Sequence, residues 1–439
     1  MRICLFSLLT ALSSCVFTKI DKTPLSQTAH YQQFIKVSDN LKIKNISGDT
    51  IKAAWAKINI TPTKRVRLAG YGSRFGRKSS GIHDSLYSRA IVFDNKITKT
   101  AIITSDLLLM PPEVIKKLTI QLPKIGWQIH QIYFSATHTH NSLGGWARKT
   151  SGKLIAGKYR KKTVATLTQS FLKVLTQADK SLQPVKVGFT KQEIPELLGN
   201  RLSDTAKIDA SLRTVWLRQP DGKTVAIVSY QAHPTCLEDK QMQISGDYPA
   251  ALVSLLEKQS NISLAAFCAG GVGSHSPKSV GSNFDKITNM ATHLAQKLLP
   301  DTSKIVWQYE NKLQCLQMPL PLRKPQWRIS KNLNKALRPW VFYALFGKYE
   351  AQVSFLQIGN IVFAGTPCDF SGMLTPNIES YFPDKHLIIN SFNGGYIGYI
   401  TPDAYYNLPT YESKDMNWFG QENGKYLSEV IIKTIQKLK

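Results

Sequence analysis

Gln131-Ile132-Tyr133-Phe134-Ser135-Ala136-Thr137-His138-Thr139-His140-Asn141-Ser142-Leu143-Gly144-Gly145 begins as a buried strand and ends as a turn. Its first six residues are mostly apolar or aromatic, the mark of an inner strand, and Gly144-Gly145 stops it. Two imidazoles in a His-x-His arrangement converge on one ion most readily where the chain is turning, as it must before this glycine pair. Neutral imidazole is a favoured ligand of zinc. The segment therefore suggests a sheet edge that carries a metal.

Working outward, 89–93 and 100–104 read as further buried strands, and 112–122 reads as a helix between the second of these and 131–136. Residues 161–178 repeat apolar side chains at helical spacing. A strand at 224–230, a helix at 249–258 and a strand at 264–268 continue the alternation. This predicts an α/β fold in which mixed β-sheets are layered with helices in a single large domain. No internal repeat is visible. In α/β folds, sites gather at strand ends along one edge. Two further candidates sit at such ends: His233 after 224–230, and Asp369 after the apolar run 361–364.

The 439 residues carry 56 Lys and Arg against 29 Asp and Glu, a formal charge of +27. That field favours anionic partners, an anionic membrane surface among them. No RNP-type aromatics, zinc-finger spacing or helix-turn-helix spacing accompany it, which argues against nucleic acid. Ala269-Gly270-Gly271-Val272-Gly273-Ser274 lacks the following Gly-Lys-Ser/Thr of a phosphate loop. Met1-Arg2 and the apolar run to Leu12 read as a signal peptide over 1–14. Leu12-Ser13-Ser14-Cys15 resembles a bacterial lipobox, so the expected product is an exported lipoprotein acylated on Cys15. Residues 15–50, polar and without sustained period, read as its tether, and 51–439 as the catalytic domain. No run is long enough to span a bilayer. Cys236, Cys268, Cys315 and Cys368 are widely spaced with no CxxC, and their pairing is open. The basic, aromatic-rich stretch Trp327 to Glu350 has two readings: an amphipathic helix on the core, or an element that docks on lipid.

Seven blocks, in order, resemble the neutral (alkaline, non-lysosomal) ceramidases. Gly70-Tyr71-Gly72 with Gly81-Ile82-His83 and Ser88-Arg89-Ala90 is similar to that family's opening block, and Thr137-His138-Thr139-His140 to its Thr-His-Thr-His. Asn200-Arg201, Ala232-His233-Pro234-Thr235 with Ile244-Ser245-Gly246-Asp247, and Gly273-Ser274-His275-Ser276-Pro277 follow. Pro367-Cys368-Asp369-Phe370 and Tyr399-Ile400-Thr401-Pro402 with Tyr411-Glu412 complete the order. The resemblance implies a zinc amidohydrolase that cleaves the N-acyl bond of ceramide-like lipids to a fatty acid and a sphingoid base. It implies zinc held by His138, His233, Asp369 and Tyr399. His140 would work beside the metal, Arg201 and Tyr411 on the amide carbonyl, and Ser276 as the family's catalytic serine. Ser276 is thereby expected in the zinc pocket, on a turn after 264–268.

Three departures bear on this. Ser274 stands where the family has Asp, Asp369 where it has Glu, and Cys368 where it has Gly. Cys368 reads as a packed thiol or as a soft ligand. The sequence also reads as lacking the family's C-terminal β-sandwich. The alternatives are a zinc hydrolase of another N-acyl lipid, a lipopeptide or an ester, and a non-catalytic surface lipoprotein.

Overall fold

The apolar runs become the inner strands of three sheets. In the first, Lys52–Asn59, Tyr87–Asp94 and Lys99–Ser105 pair antiparallel, and Ile132–Ala136 adds in parallel beside Lys99–Ser105. In the second, Lys186–Glu193, Ser211–Arg218 and Thr224–Tyr230 are antiparallel, and Ile262–Ala269 lies parallel to Thr224–Tyr230. In the third, Leu313–Pro319, Gln352–Ile358 and Ile361–Gly365 are antiparallel, and His386–Asn390 lies parallel to Ile361–Gly365. Each parallel strand is reached through a helix, respectively Pro112–Gln121, Asp247–Leu256 and Thr375–Glu379. A parallel neighbour needs such a crossover, whereas a hairpin does not. The chain thus uses one plan three times, a repetition the sequence does not display.

Computed as a structural model, the protein is described for residues 16–41, 43, 46–328, 334–348 and 350–438. The leader and Cys15 lie outside the described residues, as does Lys331 of the basic aromatic stretch. The three sheets meet in one apolar layer that includes Ile91, Tyr133, Val215, Ile227, Leu356 and Phe363. At its edge Asn390 of the third sheet joins the other two. Its Oδ1 accepts from Tyr133 Oη at 3.0 Å and its Nδ2 donates to Ser229 Oγ at 3.1 Å. Buried polar groups need such partners, and these lock the strand ends that carry the site.

The tether expected over 15–50 is corrected in its middle part. Ala29–Asp39 is a helix, and Phe17–Lys19 pairs antiparallel with Lys335–Leu337. His30, Phe34 and Ser38 are buried at a spacing of four, and Leu25 and Phe34 pack in the core with Tyr426 and Val430. One face of a helix buries such a stripe, and with few large apolar residues on it the period was hidden among polar neighbours. Cys236, Cys268, Cys315 and Cys368 are all free thiols. Cys368 is a packed thiol, its pKa pushed up by burial. No helix among the described residues is long and apolar enough to cross a membrane.

Candidate metal centre and cavity

His138 follows the parallel strand of the first sheet, His233 follows Thr224–Tyr230 of the second, and Asp369 follows Ile361–Gly365 of the third. The convergence of the first depends on the backbone. His138 has φ +64°, the left-handed region that few non-glycine residues occupy. That one residue turns the chain, so that His140 folds back toward His138. Gly70 lies against this turn at φ +127°, where an added Cβ would come within 2.7 Å of the His140 Cα. Buried Arg74 donates to the carbonyls of His140, Asp239 and Gln241 and to Asn141 Oδ1. No pattern in the sequence signals this brace. The nearest signal was the Gly70-Tyr71-Gly72 block two residues before it.

The three imidazoles form a triangle. His138 Nε2 is 3.0 Å from His233 Nε2, and His140 Nε2 is 3.2 and 3.1 Å from those two. Burial drives the pKa of His138 down to about 3 and those of His140 and His233 well below the ordinary range, so all three rings are neutral. His138 Nδ1 lies 2.6 Å from the Leu108 carbonyl oxygen and His233 Nδ1 3.2 Å from that of Val272. A carbonyl only accepts, so both Nδ1 atoms carry the proton and both Nε2 atoms present lone pairs. Two lone pairs at 3.0 Å repel unless a cation lies between them. Carbonyl-fixed tautomers of this kind are how proteins prepare metal-ligating histidines.

Asp369 closes the group. Its Oδ1 is buried without a hydrogen-bond partner and lies 3.5 Å from His138 Nε2, while Oδ2 accepts from Tyr396 Oη at 2.7 Å. Burial lifts its pKa from 3.8 to about 7. A buried, unpartnered carboxylate oxygen beside the neutral imidazoles of His138 and His233 fits a divalent cation. The glycine-rich loop after Ile262–Ala269 closes tightly on this segment. Gly273 N–H donates to the Phe370 carbonyl at 2.8 Å. A Cβ at Gly273 would fall 2.3 Å from the Asp369 carbonyl oxygen.

Residues 55–303 match the model of the neutral/alkaline non-lysosomal ceramidase N-terminal domain. The chain belongs to that family. It is 23% identical over 246 residues to neutral ceramidase A of Dictyostelium discoideum, covering 52% of this chain and 34% of that protein. It is 24% identical over 264 residues to the neutral ceramidase of Drosophila melanogaster, covering 53% and 37%. The matched region therefore spans about a third of those relatives' length. In structure the chain resembles a ceramidase complexed with C2, with a TM-score of 0.77 at 16% identity over 88% of this chain and 75% of the other. The neutral ceramidase of Pseudomonas aeruginosa gives 0.73 at 17% identity over 90% and 75%. Both show a shared fold.

The remaining positions carried over from the ceramidase motifs fall around the triangle. Tyr399 is buried and pairs in register with Asp369 in a short parallel ladder. The Tyr399 ring lies parallel to that of His233 at 6.4 Å and edge-on to that of Tyr411 at 5.7 Å. Arg201 reaches Glu412 Oε1 and Thr235 Oγ1, each at 3.5 Å. Burial works against its charge, but Tyr399, Glu412 and Asp369 hold its pKa above the usual value. Ser276 differs from expectation: it lies on the strand His275–Pro277, opposite Gly199, and is absent from the cavity wall. Ser274 keeps a connecting role without its carboxylate. Its Oγ lies 2.9 Å from His275 Nδ1 and accepts from Ser371 Oγ at 2.7 Å. Two aromatic contacts escaped the sequence reading altogether, Tyr396 on Asp369 and Phe392, which stacks on His138 at 3.7 Å.

A cavity of about 800 Å³ leads away from His138, His140 and Asp369. Its wall is mainly apolar, with Leu108, Trp146, Leu320, Phe346, Met416 and Trp418 among its residues. The basic aromatic stretch supplies part of it. Among its described residues only Pro339–Phe346 is helical, with Phe342 buried and Tyr343 and Phe346 on the cavity wall.

Proposed function

We propose that this ceramidase-family protein is a zinc-dependent amidohydrolase that cleaves the N-acyl amide of ceramide-like lipids. The observation that carries the reading is the triangle of the His138, His140 and His233 Nε2 atoms at the end of a long apolar cavity. A site of this volume and lining suits a hydrocarbon chain whose polar end stops at the imidazoles. His138, His233, Asp369 and Tyr399 hold the ion in this reading. Bound zinc supplies an electrophile for the carbonyl oxygen and lowers the pKa of water.

The chain's own groups do the rest. Arg201 and Tyr411 orient the amide carbonyl and stabilise the negative charge that builds on its oxygen. Hydroxide adds to the carbonyl carbon, the C–N bond breaks, and the amine leaves with a proton. His140, neutral in the resting site, takes the proton that water gives up as it becomes hydroxide and passes it to the amine. The support is that His138 and His233 are fixed through Nδ1 by carbonyls, whereas His140 Nδ1 is buried without a partner and its ring is the least constrained of the three. Ser276, which lies off the cavity wall, has a role on the acyl group or its water only through the family's motif, and Ser276→Ala tests it. The same reading takes the protein as exported and acylated on Cys15, which mass spectrometry of the mature N-terminus tests.

The decisive experiment measures fatty acid release from a panel of N-acyl lipids, lipopeptides and esters, with and without chelator. Release from ceramide-like amides that chelator abolishes and zinc restores is expected. Turnover confined to esters or lipopeptides, or turnover indifferent to chelator, would overturn the reading.

A further inference from the structure

Two neighbouring helices supply part of the cavity wall, and a turn packs against one of them. The turn is at 72–78, and the helices are Thr150–Ala156 and Pro339–Phe346. They are in contact. Gly76 packs so closely on Gly157 that an added Cβ would lie 2.4 Å from its Cα, and Ser151 Oγ donates to the Leu345 carbonyl at 3.0 Å. Lys149, Gly152 and Ile155 on one side, and Phe346, Gly347 and Lys348 on the other, line the cavity between the last two segments.

Each segment exposes one large apolar side chain: Phe75 at 70%, Leu154 at 48% and Trp340 at 60%. Single exposed apolar residues are ordinary on any protein. Three on contiguous elements, two of which wall an apolar cavity, are not. Phe75 is further marked by its backbone, at φ +47°. A bulky residue in the left-handed region is an outlier that packing usually explains, and a ring so exposed is not held there by packing.

The charge of the same face is one-sided. Residues 72–80, 148–162 and 334–348 contain no Asp or Glu. They present Lys78, Lys149, Lys153, Lys158 and Lys348 to solvent. Of the nearby acids Glu113 pairs with Arg148 at 2.7 Å and Glu238 with Lys286 at 3.4 Å. Asp239 accepts from Ser73 at 2.7 Å and keeps its charge, and Glu350 is exposed on the cavity wall, against the many lysines and arginines of these segments. Apolar side chains ringed by cations are the arrangement by which a surface inserts shallowly into a bilayer of anionic lipids.

The geometry points to an anionic lipid bilayer as the partner of this face, with Phe75, Leu154 and Trp340 inserted among the acyl chains and the lysines at the phosphates. A lipid would then pass from bilayer to cavity between Thr150–Ala156 and Pro339–Phe346 without crossing water. This gives the lipid-hydrolase reading its partner and rests on it only for its purpose, because docking is measured without turnover.

The test uses the full chain with Cys15→Ser, so that no acyl anchor contributes. Co-sedimentation is measured with vesicles of phosphatidylcholine alone and with about one-third phosphatidylglycerol. Binding at least tenfold tighter to the anionic vesicles is expected, and at least a further tenfold loss in a Phe75→Ser/Leu154→Ser/Trp340→Ser variant. Hydrolysis of a soluble short-chain N-acyl amide should be unchanged in that variant, since none of the three residues lines the cavity. Should the triple variant not fold, Phe75→Ser and Trp340→Ser are measured singly, with a threefold loss expected from each. Wild-type binding in the variants overturns the proposal. So does a chain that ignores vesicles but self-associates through this face, read as a dimer that the triple variant abolishes. Docking that persists while every amide is left intact would instead sink the hydrolase reading alone.

Discussion

Asp369 and Tyr399 face each other as the first pair of a two-residue parallel ladder. Asp369 N–H donates to the Gly398 carbonyl and Ser371 N–H to that of Ile400, both at 3.0 Å. A carboxylate and a phenol from distant parts of the sequence are thus set side by side by backbone alone. The ladder carries the Asp369 Cα up to the imidazoles, so that a short carboxylate reaches them.

Tyr396 is the residue that aims this carboxylate, and Tyr396→Phe removes one hydrogen bond to Oδ2 while keeping the ring. Metal affinity should fall ten- to a hundredfold, with about 1 kcal/mol lost from stability. Competition with a calibrated chelator measures the first and urea unfolding the second. An unchanged affinity would show that Asp369 is not a ligand.

Chelation should lower the thermal midpoint of the wild-type chain, because it leaves the His138 and His233 lone pairs opposed. Zinc present at a hundred times its dissociation constant should restore about 2.7 kcal/mol. His138→Ala and His233→Ala should melt at one temperature with or without zinc. Calorimetry reads all of these, and a wild-type midpoint indifferent to chelator would remove the metal from the site.

Ser276→Ala separates chemistry from strand packing. As a reacting or water-orienting group, its loss should lower kcat at least a hundredfold, about 2.7 kcal/mol of barrier. Near-normal turnover would assign the hydroxyl to the contact with Gly199, where it lies 2.7 Å from the place a Cβ would take.

Asp247 gives the pH dependence of the fold. It is buried at φ +55°, and burial lifts its pKa from 3.8 to about 6, although it accepts from the N–H groups of Leu237 at 3.2 Å and Tyr248 at 2.7 Å. A carboxyl raised in the fold holds its proton more tightly there than in the unfolded chain. Its stabilising contribution is full below pH 3.8 and is lost as pH rises through 6. The difference in unfolding free energy between wild type and Asp247→Asn should therefore decline by roughly 3 kcal/mol between pH 4 and pH 7. Urea titrations across that range measure it, and a flat difference would refute it.

The inner strands were legible because they are continuous apolar runs, and 161–178 because seven of its residues on one face are buried. His138, His233 and Asp369 were legible as residues at strand ends. Their mutual geometry was not, because it depends on a left-handed residue and on a ladder between segments thirty residues apart. Arg74, Tyr396 and Phe392 act through carbonyls, a carboxylate and a ring face, none of which leaves a period in the chain. The threefold plan of the sheets was hidden because the strands share pattern but not identity, and the loops between them differ in length.

The pairing of Phe17–Lys19 with Lys335–Leu337 has a consequence in time. A ribosome adding 5–20 residues each second needs roughly 16–64 s to travel from one strand to the other. For that interval Leu25 and Phe34 have no core to enter, since their partners Tyr426 and Val430 come later still. The first two sheets can close early, but Phe17–Lys19 has no partner strand until the last quarter of the chain is made.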